Sequence, residues 1–444
     1  MSSINSKVNM EFKPMKNVQQ LLGIGLILFL VALLFFRDAM GISVNKYIFC
    51  VLIIPYIIMA DIKNSIILWS FCMPLYVGLP GNYVTVFFLL RLIFDLCRNP
   101  VIVKGPQLLC TLFLAVFMLI QNLALGFYDV YNMMCICDLI IVFFLIFRTD
   151  RSYIPCAITA YVAGVSFVGI VMLVSTLQVV PFSDLLAAGS RLGDFTYFKG
   201  MCVNIDPNFY CMHAVTATAC AWALFEKHIL RKLQSLLSLI FVIVSDIIAL
   251  IGLSRGFIVC LALWIIFVLL FSNKVKYKGK IILISAITVA ATFYFFPDVI
   301  NSLIDRFNGD DMSTGNGRLE LLKLYGEQWN STLVTLLFGI GLFVSEAHCM
   351  PAQFLFGIGI IGSIPLFYLG ISYFKYSFLG CKYKEVKTAV IPAVVIQISA
   401  AMLPAARSLS MMIPVVLSFL VIQSVCCNEL SKNNHKEQSI NEKA

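Results

Sequence analysis

The chain has 444 residues, 60% of them hydrophobic and 12% charged, with a mean hydropathy of +0.93. A soluble domain carries about 25% charged residues, so soluble, disordered and collagen-like readings are excluded, as is a membrane β-barrel, whose strands alternate apolar and polar positions. The formal net charge of +9 fits the cytoplasmic loops of a membrane protein, where Lys and Arg collect, better than a nucleic-acid partner.

In chain order, apolar runs bounded by charge or turn residues fall at 19–36, 47–60, 65–79, 83–96, 107–127, 130–147, 153–177, 208–225, 233–253, 257–271, 281–296, 350–374, 388–406 and 409–426. At about 20 residues per span, they predict an all-α polytopic membrane protein with about 12–14 transmembrane helices. The runs at 47–60 and 83–96 are short for a span. The first run leads into Phe35, Phe36, Arg37 and Asp38 rather than a small-residue cleavage site, so it is expected to remain as a span. The expected organisation begins with a cytoplasmic N-terminus at 1–18 and N-terminal transmembrane helices over 19–177. An extracytoplasmic loop at 178–207, central transmembrane helices over 208–296 and a large extracytoplasmic loop at 297–349 follow. The chain ends in C-terminal transmembrane helices over 350–426 and a cytoplasmic tail at 427–444. This arrangement puts 22 of the 32 Lys and Arg residues on the cytoplasmic side and nine on the other, with Arg91 inside a span.

Most of the 15 cysteines, such as Cys50, Cys110, Cys135, Cys220 and Cys260, lie in apolar runs and read as small hydrophobes. Only Cys202 and Cys349 fall in long outer loops, at a spacing unlike a metal site. The two long outer loops, roughly 178–207 and 297–349, exceed the length usual in a compact protein and are candidates for function. In the second, Leu319, Leu322, Tyr325 and Trp329 fall at helical spacing and predict an amphipathic helix in the outer interface.

Four outer-face positions carry polar residues that composition does not predict. Arg191-Leu-Gly-Asp194 precedes Asp206-Pro-Asn208; Pro207 disfavours helix at Asp206, so a helix is expected to begin there with its free N–H groups outward, either as an ordinary cap or as an anion site. Ser254-Arg255-Gly256 sits between two apolar runs, where an arginine either snorkels to headgroups or faces a polar partner. Gly315-Asn-Gly-Arg318 heads the amphipathic helix, with an interfacial anchor as the plain alternative. His348 precedes a span holding Gly357, Gly359 and Gly362, and its neutral imidazole is suited to accept a proton from a hydroxyl. Arginines gathered near lipid match phosphate oxygens through bidentate guanidinium forks. No metal-ligand spacing, phosphate-cradling glycine loop or Ser/His/Asp arrangement is evident, so no metal or other cofactor is expected.

These motifs, in this order over about residues 185–375, with Phe338-Gly-Ile-Gly341 between the helix and His348, resemble the O-antigen ligase and polymerase superfamily of bacterial integral-membrane glycosyltransferases. The resemblance implies a glycosyltransferase-C-like helical fold in the bacterial cytoplasmic (inner) membrane with both termini cytoplasmic. It also implies an undecaprenyl-pyrophosphate-linked oligosaccharide donor, with a chain-length regulator and a flippase as further partners. By the same resemblance, Arg191, Arg255 and Arg318 bind the donor pyrophosphate and His348 is the general base of a metal-independent, inverting transfer. An asparagine is common after that histidine, and Cys349 stands here instead. The expected activity is polymerisation of repeat units for O-antigen, capsule or exopolysaccharide. The alternatives are a ligase acting on lipid A-core and a flippase or transporter, to which the intramembrane charges Arg91, Asp95, Asp138 and Asp246 would belong.

Overall fold

The computed structural model describes residues 13–75, 79–98, 105–126, 130–148, 150–181, 207–252, 254–272, 318–342, 347–379, 381–402 and 409–441, with isolated positions at 279, 294 and 301. The described residues are helical, without strands, in the order α1 (Lys13–Leu34), α2 (Tyr47–Met59), α3 (Ile62–Cys72), α4 (Gly81–Arg98), α5 (Gly105–Ala124), α6 (Val130–Phe147), α7 (Ile154–Leu177) and α8 (Pro207–Glu226). Then follow α9 (Lys232–Ile251), α10 (Arg255–Phe271), α11 (Arg318–Trp329), α12 (Leu333–Phe338), α13 (Met350–Ser377), α14 (Tyr383–Ala401) and α15 (Leu409–Asn441). Every predicted apolar run overlaps a helix except 281–296, of which only position 294 is described. Six described helices are long and apolar enough to cross a membrane by length and composition, at Val18–Ala39, Gly105–Ala124, Ile154–Leu177, Lys232–Ile251, Met350–Ser377 and Met412–Lys432. The chain is a multi-pass membrane protein whose described residues are all-helical in architecture.

Local chemistry sets the helix starts. Asp61 caps α3 by accepting the Asn64 N–H at 2.8 Å, which permits the tight reversal from α2. Pro155 and Pro351 occupy first-turn positions of α7 and α13, where a missing N–H costs nothing. The described residues of α8 run from Pro207, and Asp206 before it lies outside the described residues.

The centre is formed by α7 and α8, with α3, α9, α14 and α15 packed on them. Buried small residues of α8, including Ala214, Ala217, Ala219 and Ala223, let its neighbours approach closely, the way helices associate where lipid removes the hydrophobic drive. By contrast, α1, α5 and α9 present exposed Leu, Ile and Phe side chains, such as Leu21, Leu109 and Leu233, suited to lipid contact.

Helix ends assigned to one side of the membrane meet one another. At one end Lys63 pairs with Asp150 (3.0 Å) and Arg148 with Asp95 (2.7 Å), Lys227 reaches Glu429 (3.4 Å) and the Glu385 carbonyl (2.6 Å), and the Tyr376 hydroxyl donates to the Phe147 carbonyl (3.2 Å). Burial raises the Asp150 pKa, but hydrogen bonds from Ser152 and Lys63 outweigh it and hold the carboxyl below its ordinary value. At the opposite end Ser175 donates to the Asp38 carbonyl (2.7 Å), Gln121 to Phe338, Ser254 to Asn208 and Arg318 to Met402.

Candidate functional site

Four helices begin at that second end: α8 at Pro207, α10 at Arg255, α11 at Arg318 and α13 at Met350. Contacts tie these starts together. The Ser254 hydroxyl, at the cap position of α10, donates to Asn208 Oδ1 in the first turn of α8 at 3.0 Å. Ser254 therefore spends its side chain between helices instead of capping its own. Arg318 Nη1 donates to the Met402 carbonyl, which closes the C-terminal end of α14, at 3.4 Å, and Gly256 faces the same Met402 side chain. Phe209 of α8 and Met350 of α13 pack against the buried pair Met212 and Ala400. The starts of α8, α10 and α13 and the head of α11 thus surround the C-terminal end of α14. A helix start carries roughly half a positive charge on unsatisfied N–H groups, so the starts of α10 and α13, neither capped by a side chain, favour an anion.

Within this frame, Arg318 spends one of its five N–H donors on Met402, a contact that also complements the negative end of α14. Arg255 is the first residue of α10, and its side chain lies outside the described residues, as does Arg191 altogether. His348 is half-buried on the turn before α13 with φ of +46°, a left-handed conformation in which His is several-fold enriched among non-glycine residues. Among the described residues no group of three or more His, Cys, Asp or Glu side chains gathers closely enough to hold a metal ion.

A helix forms over Arg318–Trp329, where the spacing predicts one, but its less exposed face differs from the predicted one. Leu319 is 55% exposed, and the less exposed positions are Arg318, Leu321, Leu322, Tyr325, Gly326 and Trp329, because the helix rests on α13 through Trp329 and Phe356, whose rings lie 5.4 Å apart.

Sequence reasoning missed the junction that follows. The stretch Phe338-Gly-Ile-Gly341 packs directly on the first half of α13, where Ile340 N–H donates to the Phe356 carbonyl (2.9 Å) and Gly341 N–H to the Gly357 carbonyl (3.0 Å). Helix α13 is broken at Gly359, with φ of 62° and ψ of −172°. Gln121 of α5 donates to both the Phe338 and Gly357 carbonyls, at 2.6 and 2.7 Å. Non-helical backbone at membrane depth is tolerated where such groups are satisfied again by protein. The signal was present in the two glycine motifs, but no local pattern pairs them or supplies Gln121.

A buried charge was also missed. Arg37, just past the first apolar run, is 1% exposed in a π-turn over 35–39, holds both Asp38 oxygens at 2.7 Å and lies over the Phe49 ring. Gln178 reaches the adjoining Ala39 carbonyl. Three of the other four intramembrane charges are engaged by nearby groups: Arg91 donates to the Ala60 carbonyl, Asp95 takes Arg148, and Asp246 accepts the Thr218 hydroxyl at 2.8 Å, while Asp138 lines a cavity between α5 and α15.

Beside the His348 turn, an apolar cavity of about 390 Å³ lies between α5, α6, α13, α14 and α15. Its lining follows α13 from Met350 and Pro351 down to Gly370 and Tyr373, a stretch on the order of 30 Å at about 1.5 Å per residue. Phe367, 73% exposed, forms part of the wall and marks the side open to lipid. No protein-family model, curated protein or solved structure matches the chain.

Proposed function

We propose that this chain is a bacterial inner-membrane glycosyltransferase, glycosyltransferase-C-like with about 12–14 spans, that polymerises undecaprenyl-pyrophosphate-linked oligosaccharide repeat units at the extracytoplasmic face. The observation that carries this reading is the convergence of four helix starts, two of them headed by Arg255 and Arg318, with the His348 turn at one end of the bundle. The long apolar cavity running away from that end offers room for a lipid-borne chain.

In this reading the pyrophosphate of the donor rests among the helix starts and the guanidinium groups of Arg191, Arg255 and Arg318. The acceptor sugar hydroxyl attacks the anomeric carbon as the bond to the pyrophosphate oxygen breaks. The hydroxyl proton passes to the His348 imidazole, and the leaving undecaprenyl pyrophosphate departs with its charge held by the arginines, inverting the anomeric centre. The engagement of Arg91, Asp95 and Asp246 by nearby groups favours this reading over transport.

The test uses purified protein in liposomes supplied with lipid-linked repeat units alone, with products resolved on a gel. A ladder is the expected result; product that forms only after lipid A-core is added would make the protein a ligase instead. His348→Ala should abolish the ladder while insertion and abundance stay normal, and full activity in that variant would remove the mechanism.

A further inference from the structure

Gln353 sits in the first turn of α13 and is 0% exposed. Its backbone N–H donates to the Cys349 carbonyl at 2.8 Å, and its side-chain Nε2 donates to the Leu342 carbonyl at 3.3 Å. Leu342 precedes His348 in the chain and Cys349 follows it. One residue therefore bonds to described backbone on both sides of the histidine. The Leu342 side is itself immobilised, since a Cβ on Gly357 would lie 2.7 Å from the Leu342 Cα and Gly341 N–H is bonded to the Gly357 carbonyl. On the other side His348 is held in a left-handed conformation that an unrestrained histidine adopts rarely.

The Gln353 amide is incompletely satisfied. Its Oε1 is buried with no hydrogen-bond partner among the described residues. A core position filled only for packing would be better served by an apolar side chain of the same shape, because burying an unpaired carbonyl is costly. What the amide contributes is its Nε2 bond to Leu342.

We propose that Gln353 is a positioning residue for His348, holding the turn so that the imidazole stays aligned for proton transfer. The inference rests on the reading of His348 as the base. Misplacement of a reacting group by about 1 Å can cost on the order of 100-fold in rate.

The experiment compares wild type with Gln353→Met, which keeps length and apolar volume but cannot donate to Leu342. In liposomes with the lipid-linked repeat unit, kcat should fall on the order of 10- to 100-fold while the donor KM stays within about twofold. The acid limb of the pH–kcat profile should also move, which a loss of folded protein alone would not cause. As a readout independent of glycosyl transfer, the maleimide labelling rate of Cys349, a half-buried free thiol beside His348, is followed by peptide mass spectrometry in detergent and should rise several-fold. An unchanged Cys349 rate, or a kcat loss that only tracks lost thermal stability with the pH profile in place, would overturn the proposal. A faster Cys349 rate together with a fully active His348→Ala would overturn the catalytic reading and leave Gln353 as a clamp on an inert turn.

Discussion

At the scale of single residues, the two arginines at helix starts differ in what surrounds them. Arg318 already serves the Met402 carbonyl and so has a structural task beside any ligand. Arg255 opens α10 next to a serine whose hydroxyl is turned to Asn208, which leaves the N-terminal N–H groups of that helix without a side-chain cap. Lysine preserves charge but not the planar bidentate donor set, so Arg255→Lys should lose most of the transfer activity. Initial rates in liposomes decide it, and a rate near wild type would make Arg255 a topology anchor. The identity of these residues was legible in the chain. Their meeting was not, because Asn208, Ser254, Arg318 and Met402 are joined only by packing between distant helices.

Among the elements, α13 carries the sharpest constraint. A span of 28 residues that continued as regular helix would bury its backbone groups within itself, yet Gly359 turns left-handed and opens the ladder. A Cβ at Gly359 would lie 2.4 Å from the Leu337 carbonyl oxygen and 2.5 Å from the Gly339 nitrogen, and a left-handed alanine costs of order 1–3 kcal/mol before any clash is counted. Gly359→Ala should therefore lower the thermal unfolding temperature in detergent markedly. Gly370, eleven residues on in the same helix, has open space around its Cβ position, and Gly370→Ala should leave that temperature unchanged or raised. Both are glycines in an apolar run, and periodicity assigns them alike. Only the approach of residues 337–342 distinguishes them, since the chain segment that demands the missing Cβ arrives from outside the helix.

On the scale of the whole molecule, the cavity along α13 runs from Met350, two residues past His348, to the exposed Phe367 and on to Tyr373. Because Gly370 lines it without crowding, Gly370→Trp should fold normally and fill it. The expected outcome is a raised donor KM for a full-length lipid carrier and little change for a donor whose chain is shortened to a few isoprene units. Equal kinetics for both donors in that variant would separate the cavity from substrate binding. The sequence by itself determined that this protein is helical and crosses a membrane more than once, because that follows from local hydropathy. The tertiary structure alone decided that four helix starts gather around the end of α14, that Arg37 is buried against Asp38, and that two glutamines bind the glycine junction beneath His348. Apart from the neighbours Arg37 and Asp38, which Phe49 and Ser175 cover from elsewhere in the chain, these are contacts between residues far apart in sequence, and their energies depend on which surfaces the packed helices bring together, a quantity no local pattern contains.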